Sequence, residues 1–109
     1  MPIYLVSAMY NRVNRDSNHA EIVKELIQHD ISVLDLAMVG SGCPDLLIGF
    51  KTVMGSRVNV LVELKSSPKA VVRPIQEEFI KNWNGMTTIC YDAKSILYLC
   101  NYHGLKSKN

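Results

Sequence analysis

The chain has 109 residues, of which 48% are hydrophobic and 20% charged, and its net charge is +2. This length suits one compact domain with a modest core, and the composition excludes a disordered chain. No apolar run approaches the roughly 20 residues that a transmembrane helix needs, so we expect no membrane partner.

Cysteine usage indicates a reducing compartment. Cys43, Cys90 and Cys100 are odd in number and form no Cys-x-x-Cys pair. They therefore fit neither a disulfide framework nor a zinc site. The first residues also lack the charged start and apolar stretch of a signal peptide. These features predict a cytoplasmic or otherwise intracellular protein.

The first helix is predicted to begin at Asp16 or Ser17, either of which can cap it, and to run to about His29. Its apolar stripe consists of Ile22, Val23, Leu26 and Ile27. Residues 31–39 follow and are rich in β-branched and aliphatic side chains, so they are predicted to form the first core strand.

A β-hairpin is predicted next. Two apolar runs, residues 46–50 and 58–65, flank a turn-like segment with a central glycine. Side chains two residues apart share one face of a strand. If the apolar faces of both runs pack on a common core, Asp45, Glu63 and Lys65 meet on the opposite face.

Two carboxylates and an ammonium group in one place point to metal-assisted phosphodiester hydrolysis. Mg²⁺ commonly takes one or two carboxylates together with water and phosphate oxygens. A neighbouring lysine can hold the attacking water or stabilise charge on the phosphate. A solvated salt bridge is the alternative for Glu63 and Lys65 alone. Asp45 and the agreeing strand alternation favour the metal site.

The remaining chain is predicted to add a helix, a strand and a last helix. Pro74 opens the second helix and Gly85 ends it. Its buried stripe consists of Ile75, Phe79, Ile80 and Trp83. Residues 87–91 form the fourth strand, and Asp92 caps a helix over residues 93–102. The inward side of that helix consists of Ile96, Leu97 and Cys100.

The order helix–strand–strand–strand–helix–strand–helix predicts an α/β fold. We expect a three-layer-like sandwich around a mixed four-stranded sheet, formed by residues 17–104. Residues 1–16 are predicted to be an extension that acts as an edge strand or a dimer arm, because they contain an apolar stretch at residues 3–6. Residues 105–109 are predicted to be a disordered tail.

The motif residues resemble those of a nuclease family. Pro44-Asp45 followed by Glu63-Leu64-Lys65 resembles the PD-(D/E)XK motif of the restriction-endonuclease-like fold. With Ser41-Gly42 before it and Pro74-Ile75-Gln76 after it, the frame is similar to the VRR-NUC domain, the virus-type replication-repair nuclease. Archaeal-type Holliday junction resolvases are relatives of that domain. The resemblance covers about residues 17–100 and suggests a virus- or bacterium-type protein.

The resemblance implies a DNA endonuclease that depends on Mg²⁺ or Mn²⁺. Asp45 and Glu63 are then metal ligands, with the backbone carbonyl of Leu64 as a third. Lys65 orients or activates the attacking water and stabilises developing charge. Gln76 then supports Lys65, and the alternative is a structural glutamine bonded to the backbone. Stand-alone members of the family include homodimers that cut branched DNA such as Holliday junctions, so we expect a homodimer here.

His19 departs from the family pattern. Related nucleases often carry a glutamate at this point of the first helix. At about 100° per residue, His19 lies over the apolar stripe, whereas Glu21 points away from it. His19 could therefore line the site, or it could be a partly buried histidine bonded to the backbone.

Positive charge is concentrated in the middle of the chain. Residues 51–73 contain five basic residues and one acidic residue. Positive charge is therefore expected to surround the proposed site, where a phosphate backbone would lie. A hairpin whose lysines prevent edge aggregation is the alternative. The residues predicted to bind nucleic acid are Lys51, Arg57, Lys69, Arg73 and Ser41. Ser41 lies between two glycines in a loop that could approach a phosphate, although a simple turn also explains it.

Two other interpretations of the chain stay open. One is a nuclease-fold module that binds nucleic acid with weak or no cleavage. The other is a structural homodimer whose charged strand end is incidental. Apolar residues beyond the predicted core could supply a dimer interface, namely residues 3–6, Tyr98, Leu99 and Tyr102.

Overall fold

The computed structural model describes residues 17–106, and side chains from His19 onward. The predicted extension over residues 1–16 and the last three residues of the predicted tail lie outside the described residues. Within them, no helix is long and apolar enough to cross a membrane.

Between residues 17 and 106, three helices and four strands follow one another in the predicted order. They are α1 (Ser17–Gln28), β1 (Ser32–Asp35), β2 (Leu46–Lys51), β3 (Arg57–Leu64), α2 (Pro74–Asn82), β4 (Thr87–Cys90) and α3 (Ala93–Tyr102). The predicted α/β fold with a mixed four-stranded sheet is confirmed. The last helix also begins as predicted, because the Asp92 carboxylate accepts a hydrogen bond from the Ser95 amide at 2.8 Å.

The sheet has the order β1-β2-β3-β4. The pairs β1–β2 and β2–β3 are antiparallel, and β3–β4 is parallel. In the hairpin, Leu46 lies opposite Val62. One step further along, Asp45 and Glu63 come to the same end of the two strands. The hairpin register therefore brings the two predicted carboxylates together.

One face of the sheet carries the hydrophobic core. The largest fully buried aliphatic side chains there include Leu26 of α1, Leu46 and Ile48 of β2, Val60 and Val62 of β3, and Ile96 of α3. Each contributes about 1.5–3 kcal/mol through burial. Helices α1 and α3 thus cover this face, while α2 lies on the other. The three-layer arrangement leaves the alternate side chains of β3, including Glu63, on the α2 side.

The first strand is shorter than predicted and ends at Asp35. The Asp35 carboxylate accepts a hydrogen bond from the Ala37 amide at 2.8 Å, and such a side-chain bond turns the backbone. The Leu36 amide still pairs with the Asp45 carbonyl at 2.8 Å. The chain then leaves the sheet, so residues 37–39 do not extend the strand as predicted.

The buried stripe predicted for the second helix is wrong. Ile75 and Trp83 are 51% and 50% exposed, and Phe79 and Ile80 are only half-buried. The buried residue of α2 is Gln76. The helix packs on the polar face of the sheet, so a hydrogen-bonding side chain points inward and the apolar side faces outward.

Two smaller predictions also fail. The predicted stripe of the first helix includes Ile27, which is exposed. Leu105 and Lys106 belong to the predicted disordered tail. However, Leu105 forms a β-bridge with Thr52, and the Lys106 amide donates a hydrogen bond to the Lys51 carbonyl at 2.9 Å. Backbone pairing with the hairpin end therefore holds these two residues.

Candidate active site

Asp45 lies just before β2, and its side chain is hydrogen-bonded to the neighbouring strand β3. Its Oδ2 accepts a hydrogen bond from the Leu64 amide at 2.8 Å. A residue in an extended strand directs its N–H and C=O to the same side. The Leu64 carbonyl, predicted as a metal ligand, therefore leaves β3 on the side where Asp45 lies.

Glu63 is the most buried charged residue of the site, with 2% of its surface exposed. Its Oε2 accepts a hydrogen bond from Gln76 Nε2 at 2.9 Å and lies 3.3 Å from Lys65 Nζ. Its Oε1 is buried and has no hydrogen-bond partner among the described residues. A buried carboxylate oxygen without a hydrogen bond lowers the stability of the folded protein.

Gln76 joins the two sides of the site. Its Oε1 accepts hydrogen bonds from Lys65 Nζ at 2.9 Å and from the Arg73 amide at 3.1 Å, while its Nε2 donates to Glu63. Only one orientation of the amide satisfies these partners, because a carboxylate accepts and an ammonium group donates. Gln76 therefore holds Lys65 beside Glu63. Gln76 itself lies next to Lys65, as the resemblance implied.

The electrostatics of the site favour a cation. Burial raises the pKa of Glu63, and the charge of Asp45 and the close approach of its side chain, within hydrogen-bonding reach, raise this pKa further, against the hydrogen bond and charge of Lys65. The pKa of the Cys43 thiol is also raised, first by burial and then by the charges of Glu63 and Asp45. Three side chains therefore share a region of negative potential.

The donor set fits a hard divalent cation. It offers the carboxylates of Asp45 and Glu63, one of them with an unsatisfied buried oxygen, and the Leu64 carbonyl on the same side. Mg²⁺ is commonly held by one or two carboxylates. Within residues 17–106, no group of three or more His, Cys, Asp or Glu side chains is arranged to hold a metal.

A tight loop sets the distance between the motif and α2. Gly42 has φ +77°, and a Cβ there would overlap the carbonyl oxygen of Ile75 and come within 2.8 Å of its carbonyl carbon. The glycine thus allows the loop before Asp45 to touch the first turn of α2. Ser41 beside it also has a left-handed backbone, with φ 55°.

The structure places His19 in the first turn of α1, half-buried, and Glu21 on the exposed side of the same helix. These positions agree with the helical register inferred from the sequence. Helix α1 packs against β1 and α3, on the core side of the sheet. A contribution of His19 to the site stays a prediction.

The basic residues predicted to bind nucleic acid divide into two groups. Exposed Lys69 and Arg73 lie in the loop that leads from Lys65 to α2. Lys51 and Arg57 pair at the other end of the hairpin, six residues or about 20 Å along β3 from Glu63. The expectation that all of them surround the carboxylates is therefore wrong for the second pair, because the hairpin separates residues that are close in sequence.

Sequence reasoning missed a groove beside α2. Its volume is about 360 Å³, and it is lined by Ser41, Ile75, Glu78, Phe79, Asn82 and Trp83. Its signal in the sequence is a pair of aromatic residues four positions apart, Phe79 on α2 and Trp83 at the C-terminal end of that helix. Helical periodicity assigns both residues to the buried side.

No protein-family model, curated protein or solved structure gave a significant match to the chain. The likeness to the PD-(D/E)XK and VRR-NUC nucleases therefore rests on the motif residues.

Proposed function

We propose that this chain is a DNA endonuclease that depends on Mg²⁺ or Mn²⁺ and belongs to the PD-(D/E)XK type. The observation that carries the proposal is Glu63, which is 2% exposed, lies beside Asp45 and keeps one buried oxygen without a hydrogen-bond partner among the described residues. The other oxygen of Glu63, Oε2, forms an ion pair with Lys65 and accepts a hydrogen bond from Gln76.

A purely structural ion pair explains this arrangement poorly. An exposed salt bridge at a strand end costs little and contributes little. Here two carboxylates share one region with a single lysine, and one carboxylate is removed from water. Burying charge without full compensation costs several kcal/mol. A divalent cation held by both carboxylates offsets this cost.

The side chains have distinct roles in the proposed reaction. Asp45, Glu63 and the Leu64 carbonyl are the groups that hold the cation. A bound Mg²⁺ supplies positive charge to the scissile phosphate and makes a bound water more acidic. Gln76 holds the Lys65 ammonium group 3.3 Å from Glu63 Oε2, where it can orient the attacking water and stabilise negative charge on the phosphate.

DNA is proposed as the substrate because basic side chains extend from the site in two directions. Lys69 and Arg73 flank it on the loop before α2, and Lys51 and Arg57 lie on the same sheet face at the far end of the hairpin. Together they could follow a phosphate backbone across the domain. The three free cysteines accord with an intracellular place for this activity.

Asp45→Asn and Lys65→Ala are expected to lower the rate of Mg²⁺-dependent plasmid nicking by at least about 100-fold, because each removes charge stabilisation at the reacting phosphate. The measurement is the rate of conversion of supercoiled to open-circular DNA. Lys94→Ala, which removes an exposed lysine from α3, serves as the control. Nicking by Lys65→Ala at the rate of the control would exclude Lys65 from the reaction. A wild type that binds DNA but leaves the plasmid intact would belong to the class that binds without cutting.

We further propose a homodimer that acts on branched DNA, because one chain supplies one site and two strands need two. Tyr98 and Tyr102 on α3 are 74% and 78% exposed and suit an interface. Leu99, predicted to join them, packs partly against the core instead. Light scattering should report twice the 12.3 kDa chain mass, and four-way junctions should be cut faster than linear duplex. A monomer that cuts both equally contradicts this proposal and leaves the nuclease proposal standing.

A further inference from the structure

We infer that the groove beside α2 binds an unpaired nucleobase of the DNA substrate, which makes DNA with a single-stranded or splayed region the preferred substrate class. This inference rests on the proposed nuclease function and deepens it. The groove, here called the aromatic groove, is the one lined by Ser41, Ile75, Glu78, Phe79, Asn82 and Trp83.

The aromatic groove contains a stacking platform. The rings of Phe79 and Trp83 lie 5.4 Å apart between centroids and are inclined by only 12°. Phe79 is on α2, and Trp83, four residues later, is the residue that caps the C-terminus of this helix, so both rings lie on one side of the helix end. Trp83 is 50% exposed, so its ring offers surface to a ligand. Parallel, exposed aromatic surface is the feature on which proteins stack unpaired bases.

The charges in the groove select a base over a phosphate. None of its six lining residues is basic, and Glu78 gives it a negative side chain. A phosphate would be repelled there, whereas a neutral ring with exocyclic amino groups can donate hydrogen bonds to a carboxylate. Ser41 and Asn82 add further polar groups for a base edge. A volume of about 360 Å³ lies within the range of small-molecule sites.

The position of the groove relative to the candidate active site fits one DNA strand. Gln76, which contacts Glu63 and Lys65, is on α2, seven residues before Trp83, which caps the C-terminus of that helix. Seven residues correspond to about 10 Å along a helix, or about three nucleotides of a stacked strand. A strand whose phosphate lies at Lys65 can therefore place a nearby base on Trp83. In a duplex, pairing holds each base inside the helix, where the neighbouring bases cover both faces of its ring. A base that stacks on Trp83 must therefore be unpaired.

The test uses the fluorescence of Trp83, the single tryptophan of the chain, in the full-length Lys65→Ala protein, which is not expected to cut the probe. The probes are a single-stranded oligonucleotide of mixed sequence, an abasic oligonucleotide of equal length and a blunt duplex, each with Mg²⁺. We expect the single strand to quench Trp83, and the abasic strand and the duplex to leave its emission nearly unchanged. Equal quenching by the single and abasic strands overturns the inference.

Affinity measured by fluorescence anisotropy with labelled DNA gives a second readout. Trp83→Ala should weaken single-strand binding by about 5- to 150-fold, since base stacking on an aromatic side chain contributes about 1–3 kcal/mol. Trp83→Phe should bind within a few-fold of the parent, and the abasic strand should bind all variants alike. If Trp83→Ala binds the single strand as tightly as the parent, the inference is overturned. If that variant also loses self-association, the occupant of the aromatic groove is a second copy of the chain.

The two proposals fail differently. If the wild type cuts DNA and Trp83→Ala cuts and binds single strands equally well, only the base site is refuted. If the wild type neither cuts nor binds any of the DNA probes, the nuclease proposal and the base site are both refuted.

Discussion

Glu63→Gln is expected to abolish Mg²⁺-dependent cleavage while making the metal-free protein more stable. The rate should fall by at least about 100-fold, because a neutral amide cannot replace the charge that holds the cation. The free energy of unfolding at pH 7 should rise by about 1–3 kcal/mol, because the variant no longer buries an incompletely compensated carboxylate. Plasmid nicking and urea denaturation measure the two effects.

In the same denaturation experiment, Mg²⁺ should stabilise the wild type and leave Glu63→Gln unchanged. A ligand that binds the folded state alone stabilises it by about 2.7 kcal/mol at a hundredfold excess over its Kd. Glu21→Gln makes the same chemical change on an exposed residue of α1 and should match the wild type in stability, Mg²⁺ response and rate. A Glu63→Gln protein that is less stable than the wild type without metal would mean that Glu63 is chiefly a structural partner of Lys65 and Gln76.

Gly42→Ala is expected to have the second large effect, through geometry alone. A left-handed backbone costs a non-glycine residue about 1–2 kcal/mol, and overlap with the Ile75 carbonyl adds about 1–3 kcal/mol. To relieve the overlap, the first turn of α2 must move, and Gln76 moves with it. A displacement of about 1 Å at a reacting group can cost 100-fold in rate, so nicking should fall as stability falls.

Gly40→Ala provides a matched control in the same loop. Gly40 has φ +76°, but a Cβ there meets no atom within 4 Å. This variant should lose only the backbone cost of about 1–2 kcal/mol and should keep its nicking rate. If the two alanine variants lose equal stability and activity, the contact between the loop and α2 does not position the site.

The hairpin shows why the centre of the site could be predicted. Strand side chains alternate strictly, and a tight turn fixes which residues of two strands face each other. Alternation therefore placed Glu63 and Lys65 on one face, and the register Leu46 opposite Val62 brought Asp45 to them. The expectation that Lys51 and Arg57 lie near the site fails, because closeness in sequence does not specify which end of a hairpin a residue occupies.

The second helix shows what periodicity leaves undetermined. Ile75, Phe79 and Trp83 define an apolar side, but the pattern does not say whether protein or solvent covers that side. Gln76 has hydrogen-bond partners, Lys65 and Glu63, on the polar face of the sheet. These hydrogen bonds set the rotation of α2 about its axis, so that Gln76 points to the sheet and the apolar side points away from it. The short first strand has a similarly local cause, since the Asp35 carboxylate bonds to the Ala37 amide and competes with strand pairing.

The most direct test of the central claim is plasmid nicking by purified wild-type protein with Mg²⁺, with Mn²⁺ and with excess EDTA, beside Glu63→Gln at equal concentration. We expect the wild type to convert supercoiled DNA to the open-circular form with either metal and not with EDTA, and Glu63→Gln to leave the plasmid intact in all three conditions. Nicking that persists in EDTA, or that Glu63→Gln retains at the wild-type rate, would contradict a metal-dependent nuclease site built on Asp45, Glu63 and Lys65.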